Sequence, residues 1–165
     1  DRHLGNPVAD GIIIASPQAI TRLTATVVGN GESRDELKDL ASQRGLQSAI
    51  RFFPAMPARE AFALGRIMVV PSRAESFPYI VLEAAAAGKP LVVTRVGGIP
   101  EILGIDSPAL CDVSAEAISA KMIQRIRDPQ VLANAMPSAD LLKTKFGVDV
   151  MARQIESQYR AILEA

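Results

Sequence analysis

From residue 24 to residue 111 the apolar positions fall in short unbroken runs, each followed by a polar or glycine-marked break. "TATVVGNG" (24–31) is a β-branched run ending in Gly-Asn-Gly, the signature of a strand that feeds a tight turn. "SRDELKDLASQRG" (33–45) changes period. Ser33 with Glu36 three residues on reads as a capping box, Leu37, Leu40 and Ala41 share one face, and Gly45 is the stop. "AIRFF" (49–53) predicts the next strand, "PAREAFALG" (57–65) a short helix and "IMVVP" (67–71) a strand buried on both faces. A loop and helix follow, closed by Gly88 and Pro90, and then "LVVT" (91–94), again a strand. "PALC" (108–111) is a weak last strand. "SAEAISAKMIQRIRDP" (114–129) predicts a helix capped by Ser114, with Ile118, Met122 and Ile126 on one stripe and Asp128-Pro129 as its exit. Two more helical stretches end the chain, the last with Met151, Ile155, Tyr159 and Ile162 on one face.

Continuous rather than alternating apolar strands, joined through helices by short connections, indicate a parallel sheet covered on both faces. The fold class is α/β, a Rossmann-like doubly wound sheet with extra C-terminal helices. The opening fits two patterns. "GIIIA" (11–15) before Ser16-Pro17 is a strand followed by a cap and a first-turn proline, or else a helix carrying an interior proline.

With 165 residues, 48% of them hydrophobic, the chain suits one domain with a single core. Eighteen basic against eighteen acidic residues leave no net field to attract nucleic acid or anionic lipid. Cys111 is the single cysteine and His3 the single histidine, so a disulfide, a metal site and a histidine triad are set aside, and Cys111 reads as a small buried hydrophobe. No apolar run approaches the ~18 residues of a membrane span and no charged-then-apolar leader opens the sequence, which suggests a cytoplasmic chain. The start at "DRHLGNP", without methionine or a clear strand, suggests a piece of something longer.

The chemistry concentrates in "SRAESFPYIVLEAAAAGKP" (72–90). Pro78 suits a first helical turn and not an interior, which puts Glu75 in the loop beyond strand 67–71 and Glu83 in the second turn of the helix. Helical side chains lean toward the N-terminus, so the two carboxylates can converge on one crevice. That crevice, beyond the carboxyl ends of parallel strands, is where ligands of such sheets bind, and a helix N-terminus there offers amides to a phosphate. Carboxylates suit vicinal hydroxyls, and phosphate and sugar together describe a nucleotide sugar. On spacing alone the plainer account is the favoured one, with Glu75 favouring the helix dipole and Glu83 facing water.

"PSRAESFPYIVLEAAAAGKPLVVTRVGGIPEIL" (71–103) resembles the nucleotide-sugar-binding half of the retaining glycosyltransferases of family 4, whose GT-B architecture sets two Rossmann-like domains face to face. Strand, E-x7-E, Gly-Lys-Pro, strand, Gly-Gly and Glu occur in the family's order, and the likeness extends more weakly over nearly the whole chain from residue 24. The resemblance implies a donor-binding domain of an enzyme that moves a sugar from a nucleoside diphosphate to an acceptor hydroxyl, with no cofactor and no metal. By the same resemblance Glu75 contacts the donor sugar as the catalytic carboxylate. Backbone around Ser76, Phe77, Pro78 and Tyr79 lines the sugar and phosphate pocket, and the Ile80 and Val81 amides meet the pyrophosphate. Glu83 grips the ribose, Pro54, Ala55 and Met56 lie against the base, and Gly29, Asn30 and Gly31 turn beside the nucleotide. Pro78 has no N–H, where family members often have glycine. Arg2 stands loosely for the family's phosphate-binding arginine, and Gly5-Asn6 occupies the place of its lysine loop. The resemblance further implies that the first strand of this half and the N-terminal acceptor-binding domain are missing, so that the isolated chain binds without transferring, and that the Met151–Ile162 face is partly bare and favours self-association. Gly97-Gly98 reads as the turn after strand 91–94 and Glu101 as a local cap or pair, and of Arg73 and Arg95, candidate phosphate partners, one or both are expected to be solvated.

Two other functions share the layering. One is a non-catalytic nucleotide or phosphate module using the same crevice. The other is a dinucleotide-dependent oxidoreductase, disfavoured because Gly29-Asn30-Gly31 lacks the third glycine of G-x-G-x-x-G. A purely structural or partner-binding domain is the remaining class. Neither the nucleotide, the sugar nor the acceptor is encoded in these motifs.

Overall fold

A computed structural model describes residues 12–17 and 23–164. The readings for Arg2, His3, Gly5 and Asn6 lie outside the described residues. Strands β1 (Ile12–Pro17), β2 (Leu23–Val28), β3 (Ile50–Phe53), β4 (Ile67–Val70), β5 (Leu91–Thr94) and β6 (Leu110–Cys111) form one sheet in the order β3-β2-β1-β4-β5-β6. Pairs β2–β3, β4–β5 and β5–β6 are parallel. All four residues of β4 and all four of β5 are buried, as unbroken apolar strands under helices on both faces should be.

The ambiguous opening is a strand that runs through Ser16 and Pro17, opposite Thr24 and Leu23, which corrects the reading of these two as a helix cap and a first-turn proline, and its direction departs from the all-parallel expectation. β1 is antiparallel to both neighbours, with Ile12 opposite Val28 and Ile13 opposite Val69. Only residues 18–22 separate β1 from β2, too few for the crossover that parallel neighbours need, so antiparallel pairing is the accessible geometry. Because β1 opposes both β2 and β4, strands β2 to β6 all point the same way, and their carboxyl ends share one edge.

Helices α1 (Arg34–Gln43), α2 (Ala58–Ala63), α3 (Tyr79–Ala86), α4 (Ile99–Leu103), α5 (Ala115–Arg127), α6 (Pro129–Ala135), α7 (Ala139–Phe146) and α8 (Val148–Leu163) complete the chain. After α5 there are three helices instead of two, because Pro129 starts α6 as well as ending α5, a position its fixed φ favours. Leu132 of α6 and Leu142 of α7 join the core of Ile67, Met68, Val81, Leu91, Val92 and Ile99. Ile118, Met122 and Ile126 pack against it as their stripe predicts.

The capping box at α1 does not form. Ser33 holds φ −78°, ψ 6° instead of an extended conformation and makes no side-chain cap bond, while the Arg34 N–H donates to Gly31 O in a preceding turn. Leu37 and Leu40 are exposed, and only Ala41 of that face is buried. Ser114 does cap α5, accepting from the Ala117 N–H at 3.0 Å. Helix α8 buries none of its residues, and Met151, Ile155, Tyr159 and Ile162 all stand exposed. Cys111 is buried, with its thiol donating to Val93 O at 3.4 Å.

Candidate functional site

Pro78 sets the site. It precedes α3 with φ −80°, ψ 103°, and its carbonyl accepts from the Val81 and Leu82 N–H groups at 3.1 and 3.3 Å. Glu75 therefore lies in the loop beyond β4 and Glu83 in the second turn of the helix. The far end of α3 closes at Gly88 as expected: Gly88 adopts φ +65° and donates to Ala85 O, and the Lys89 N–H donates to Ala84 O, a Schellman closure. The Lys89 ammonium then donates to Phe62 O and Gly65 O, tying the end of α3 to the end of α2. Burial pulls the Lys89 pKa below the usual lysine range.

The loop bearing Glu75 is held from three sides. The Ser72 hydroxyl donates to Glu75 Oε1 at 2.7 Å, and Thr94 Oγ1, at the end of β5, donates to Ser72 O at 2.6 Å. The turn after β5 supports the backbone, with the Gly98 N–H donating to Ser76 O at 3.0 Å. A Cβ at Gly97 would stand 1.6 Å from Glu75 O, and one at Gly98 would stand 2.8 Å from Ser76 O and 3.0 Å from the Phe77 ring. Phe77 in turn meets Tyr79 edge-on at 5.9 Å and Phe146 of α7 at 5.3 Å. The Lys145 ammonium beside Phe146 donates to Glu101 O at 2.8 Å, fastening α7 to α4.

A second cluster stands at the same edge. Asn30 Oδ1 accepts from the Ala55 N–H at 3.1 Å, and the Gly29 N–H donates to Phe53 O at 3.1 Å, so Gly29–Gly31 and Pro54–Met56 form one joined rim. One strand, β1, separates this rim from the Glu75 loop, which at ordinary strand spacing is about 10 Å between β2 and β4. The carboxyl ends of β2, β3 and β4 share this edge, and the crevice outside the carboxyl ends of the strands is where open α/β sheets take ligands.

Of the residues singled out in the sequence, Glu75 is half-buried in this loop, Ser76 and Tyr79 are exposed beside it, and Pro78 and Val81 are buried. Glu83 is exposed on α3. The Val81 amide is already engaged with Pro78 O, which corrects its reading as an open phosphate donor; the Tyr79 and Ile80 amides precede the first helical bond. Arg95 is tethered to Ile105 O at 2.5 Å, while Arg73 is exposed. Sequence reasoning passed over Ser72, Thr94, Lys145 and Phe146. Thr94, Lys145 and Phe146 meet partners from other elements, Phe146 standing 69 positions beyond Phe77, and Ser72 bonds to Glu75 only three residues on, a spacing that by itself does not mark a site.

Comparison with known proteins gives a consistent result. Residues 10–128 match the family described as glycosyl transferases group 1. The chain is 29% identical over 157 residues to a D-inositol 3-phosphate glycosyltransferase of Frankia alni, an alignment covering 89% of this chain and 39% of that enzyme. It is 32% identical over 133 residues to the enzyme of the same name from Acidothermus cellulolyticus, covering 78% of this chain and 30% of the relative. Among solved structures, Anabaena HepE in complex with UDP-glucose superposes with a TM-score of 0.70 at 23% identity, over 84% of this chain and 41% of HepE. The fold is thus that of one Rossmann-like half of a GT-B enzyme, and the chain spans well under half the length of these relatives.

Proposed function

The chain belongs to the glycosyl transferases group 1 family, and from that premise we propose that it is the donor-binding domain of a retaining glycosyltransferase, taking a nucleoside diphosphate sugar in the crevice beyond β4. The observation that carries this reading is the Glu75 loop itself: a half-buried carboxylate held by Ser72 beyond the carboxyl end of β4, next to a helix whose Tyr79 and Ile80 amides precede its first hydrogen bond. Glu75 accepts hydrogen bonds from hydroxyls of the donor sugar. The Tyr79 and Ile80 amides and the positive end of α3 receive the diphosphate, with backbone at Ser76 and Phe77 lining the pocket. Glu83 accepts from the ribose hydroxyls, and the rim of Gly29–Gly31 with Pro54–Met56 lies against the base.

In the complete enzyme the bond from the anomeric carbon to the diphosphate oxygen breaks, a bond to an acceptor hydroxyl oxygen forms on the same face, and the hydroxyl proton passes to the departing diphosphate. Amide dipoles and cationic side chains carry the charge of the departing diphosphate without a metal ion. An acceptor-binding domain supplies the second wall, so the isolated chain binds donor and does not transfer. The exposed α8 face favours self-association of residues 1–165 by themselves; a strictly monomeric sedimentation profile at high concentration would remove this part of the reading.

The deciding experiment is calorimetric titration with UDP, GDP and ADP and their common sugar conjugates, comparing the native chain with Glu83→Ala and Glu75→Ala. The reading requires one nucleotide to bind, to weaken when Glu83 is removed, and to lose its sugar-dependent gain when Glu75 is removed. A ligand whose affinity depends on Glu83 alone would identify a plain nucleotide module instead.

A further inference from the structure

We propose that Ser72 is a positioning residue for Glu75 and, through it, for the donor sugar. The inference rests on the donor-site reading above. Ser72 is almost fully buried at 1% exposure, yet its hydroxyl is aimed at a carboxylate in the site. An ionised carboxylate only accepts, so the 2.7 Å contact has Ser72 Oγ as donor and Glu75 Oε1 as acceptor. The bond uses one lone-pair direction of Oε1 and leaves Oε2 open for hydroxyls of a ligand.

What makes Ser72 a fixed point is its own anchoring. Its carbonyl accepts from Thr94 Oγ1 at 2.6 Å, and Thr94, at the end of β5, is fully buried. The serine hydroxyl therefore starts from a backbone pinned to the neighbouring strand. Glu75 is constrained at its other end as well, since the Gly97-Gly98 turn packs on the Glu75 carbonyl and bonds to Ser76 O. Held at backbone and carboxylate alike, the glutamate is spared most of the rotamer freedom that a long side chain loses on gripping a ligand. Without the Ser72 hydroxyl, each encounter with a sugar has to order the carboxylate anew. The loss falls on the sugar and not on the nucleotide, whose contacts lie on α3 and the Asn30 rim.

The test compares the native chain with Ser72→Ala by calorimetry on matched pairs: UDP with UDP-glucose, GDP with GDP-mannose, and ADP with ADP-glucose. For the pair that binds, Ser72→Ala is expected to reduce the affinity gain of conjugate over nucleotide about tenfold. Binding of the free nucleotide, which reports that the variant is folded, stays within about twofold. Thr94→Val, which keeps the shape of the side chain and removes the donor to Ser72 O, is expected to act in the same direction and more weakly. Equal weakening of both ligands of a pair overturns the proposal in favour of a structural role for the serine. An unchanged gain, or a native chain that binds nucleotide and conjugate alike, overturns it while leaving the nucleotide site standing. Absence of any Glu83-dependent nucleotide binding overturns the donor-site reading and this inference together.

Discussion

Gly97 lies so close to Glu75 that any side chain at 97 would occupy the space of the Glu75 carbonyl, a Cβ standing 1.6 Å from its oxygen. Gly97 also adopts φ +49°, a region L-residues enter at a cost of about 1 kcal/mol or more. The neighbour is backbone, so no side-chain rotation relieves the contact. Gly97→Ala is therefore expected to lower stability by at least about 2 kcal/mol, adding overpacking to the conformational cost. It should also push the Glu75 loop out of place and remove sugar-dependent binding. Urea unfolding, read as a lower midpoint at unchanged slope, checks the first effect. Calorimetry with nucleotide and conjugate at a temperature where the variant is folded checks the second.

The bond from the Ala55 N–H to Asn30 Oδ1 joins two loops whose strands are neighbours but whose sequences are 25 residues apart. Both ends are exposed, so water replaces the bond readily and Asn30→Ala should change stability by less than about 1 kcal/mol. Its effect on binding should be larger. In the proposed donor site, releasing the Pro54–Met56 loop would leave it to be ordered by the base, and nucleotide affinity is expected to fall about three- to tenfold. Asn30→Asp keeps an acceptor oxygen toward Ala55 and should restore the loop, as amide hydrogen exchange at Ala55 would report.

Much of this arrangement is legible in the sequence, for reasons that differ from residue to residue. The four-residue strands β4 and β5 follow from unbroken apolar runs, and the start of α3 from the rigidity of Pro78, because both are local properties. The loop position of Glu75 follows from the same proline. The antiparallel course of β1 is decided by a connection length and by which neighbours it meets, which no apolar pattern records. Ser72 escaped for a related reason. Its partners, Thr94 and Glu75, are brought to it by strand pairing and by a loop, and a lone serine after a strand has no distinguishing periodicity. Gly97 was legible as a turn residue, whereas its packing against Glu75 exists only in three dimensions.

Cys111, the one thiol, gives a direct readout of the β5–β6 edge. Burial pushes its pKa above 9.0, with Lys121 pulling it down and Asp112 pushing it up to lesser degrees. At pH 8 the folded chain should react with a thiol reagent at least about tenfold more slowly than the urea-unfolded chain. The pH dependence has a definite sign. With the folded pKa raised, the unfolded chain loses this proton first as pH climbs past about 9, so stability is fully present below that value and declines above it. Lys89 acts oppositely in the alkaline range: its folded pKa is lowered from 10.5, so the unfolded chain holds that proton longer and stability rises as pH approaches 10.5. Native and Cys111→Ala chains share the lysine. The difference between their stability curves should therefore isolate the thiol, with the decline above pH 9 shallower in the variant and a thiol contribution of at most about 1.4 kcal/mol per pH unit.

Two serines with the same apparent role in the sequence differ in the folded chain, and substitution separates them. Ser114 is extended at φ −148°, ψ 152°, and its oxygen accepts from the Ala117 N–H at the start of α5, whose stripe packs on the core. Ser33 is turned to φ −78°, ψ 6°, and caps nothing. Ser114→Ala leaves a first-turn amide to water alone and should cost about 1 kcal/mol. Ser33→Ala should stay within about 0.5 kcal/mol of the native chain. Ser138, which accepts from the Leu141 N–H at 3.2 Å, extends the comparison to α7, and Ser138→Ala should resemble Ser114→Ala. Because α7 carries the Phe146 ring that meets Phe77 and the Lys145 that bonds to α4, loosening its first turn should also slacken the outer support of the Glu75 loop. Denaturant midpoints rank the three variants. A loss at Ser33 equal to that at Ser114 would mean that the capping box forms after all, with Ser33 extended instead of turned at the start of α1.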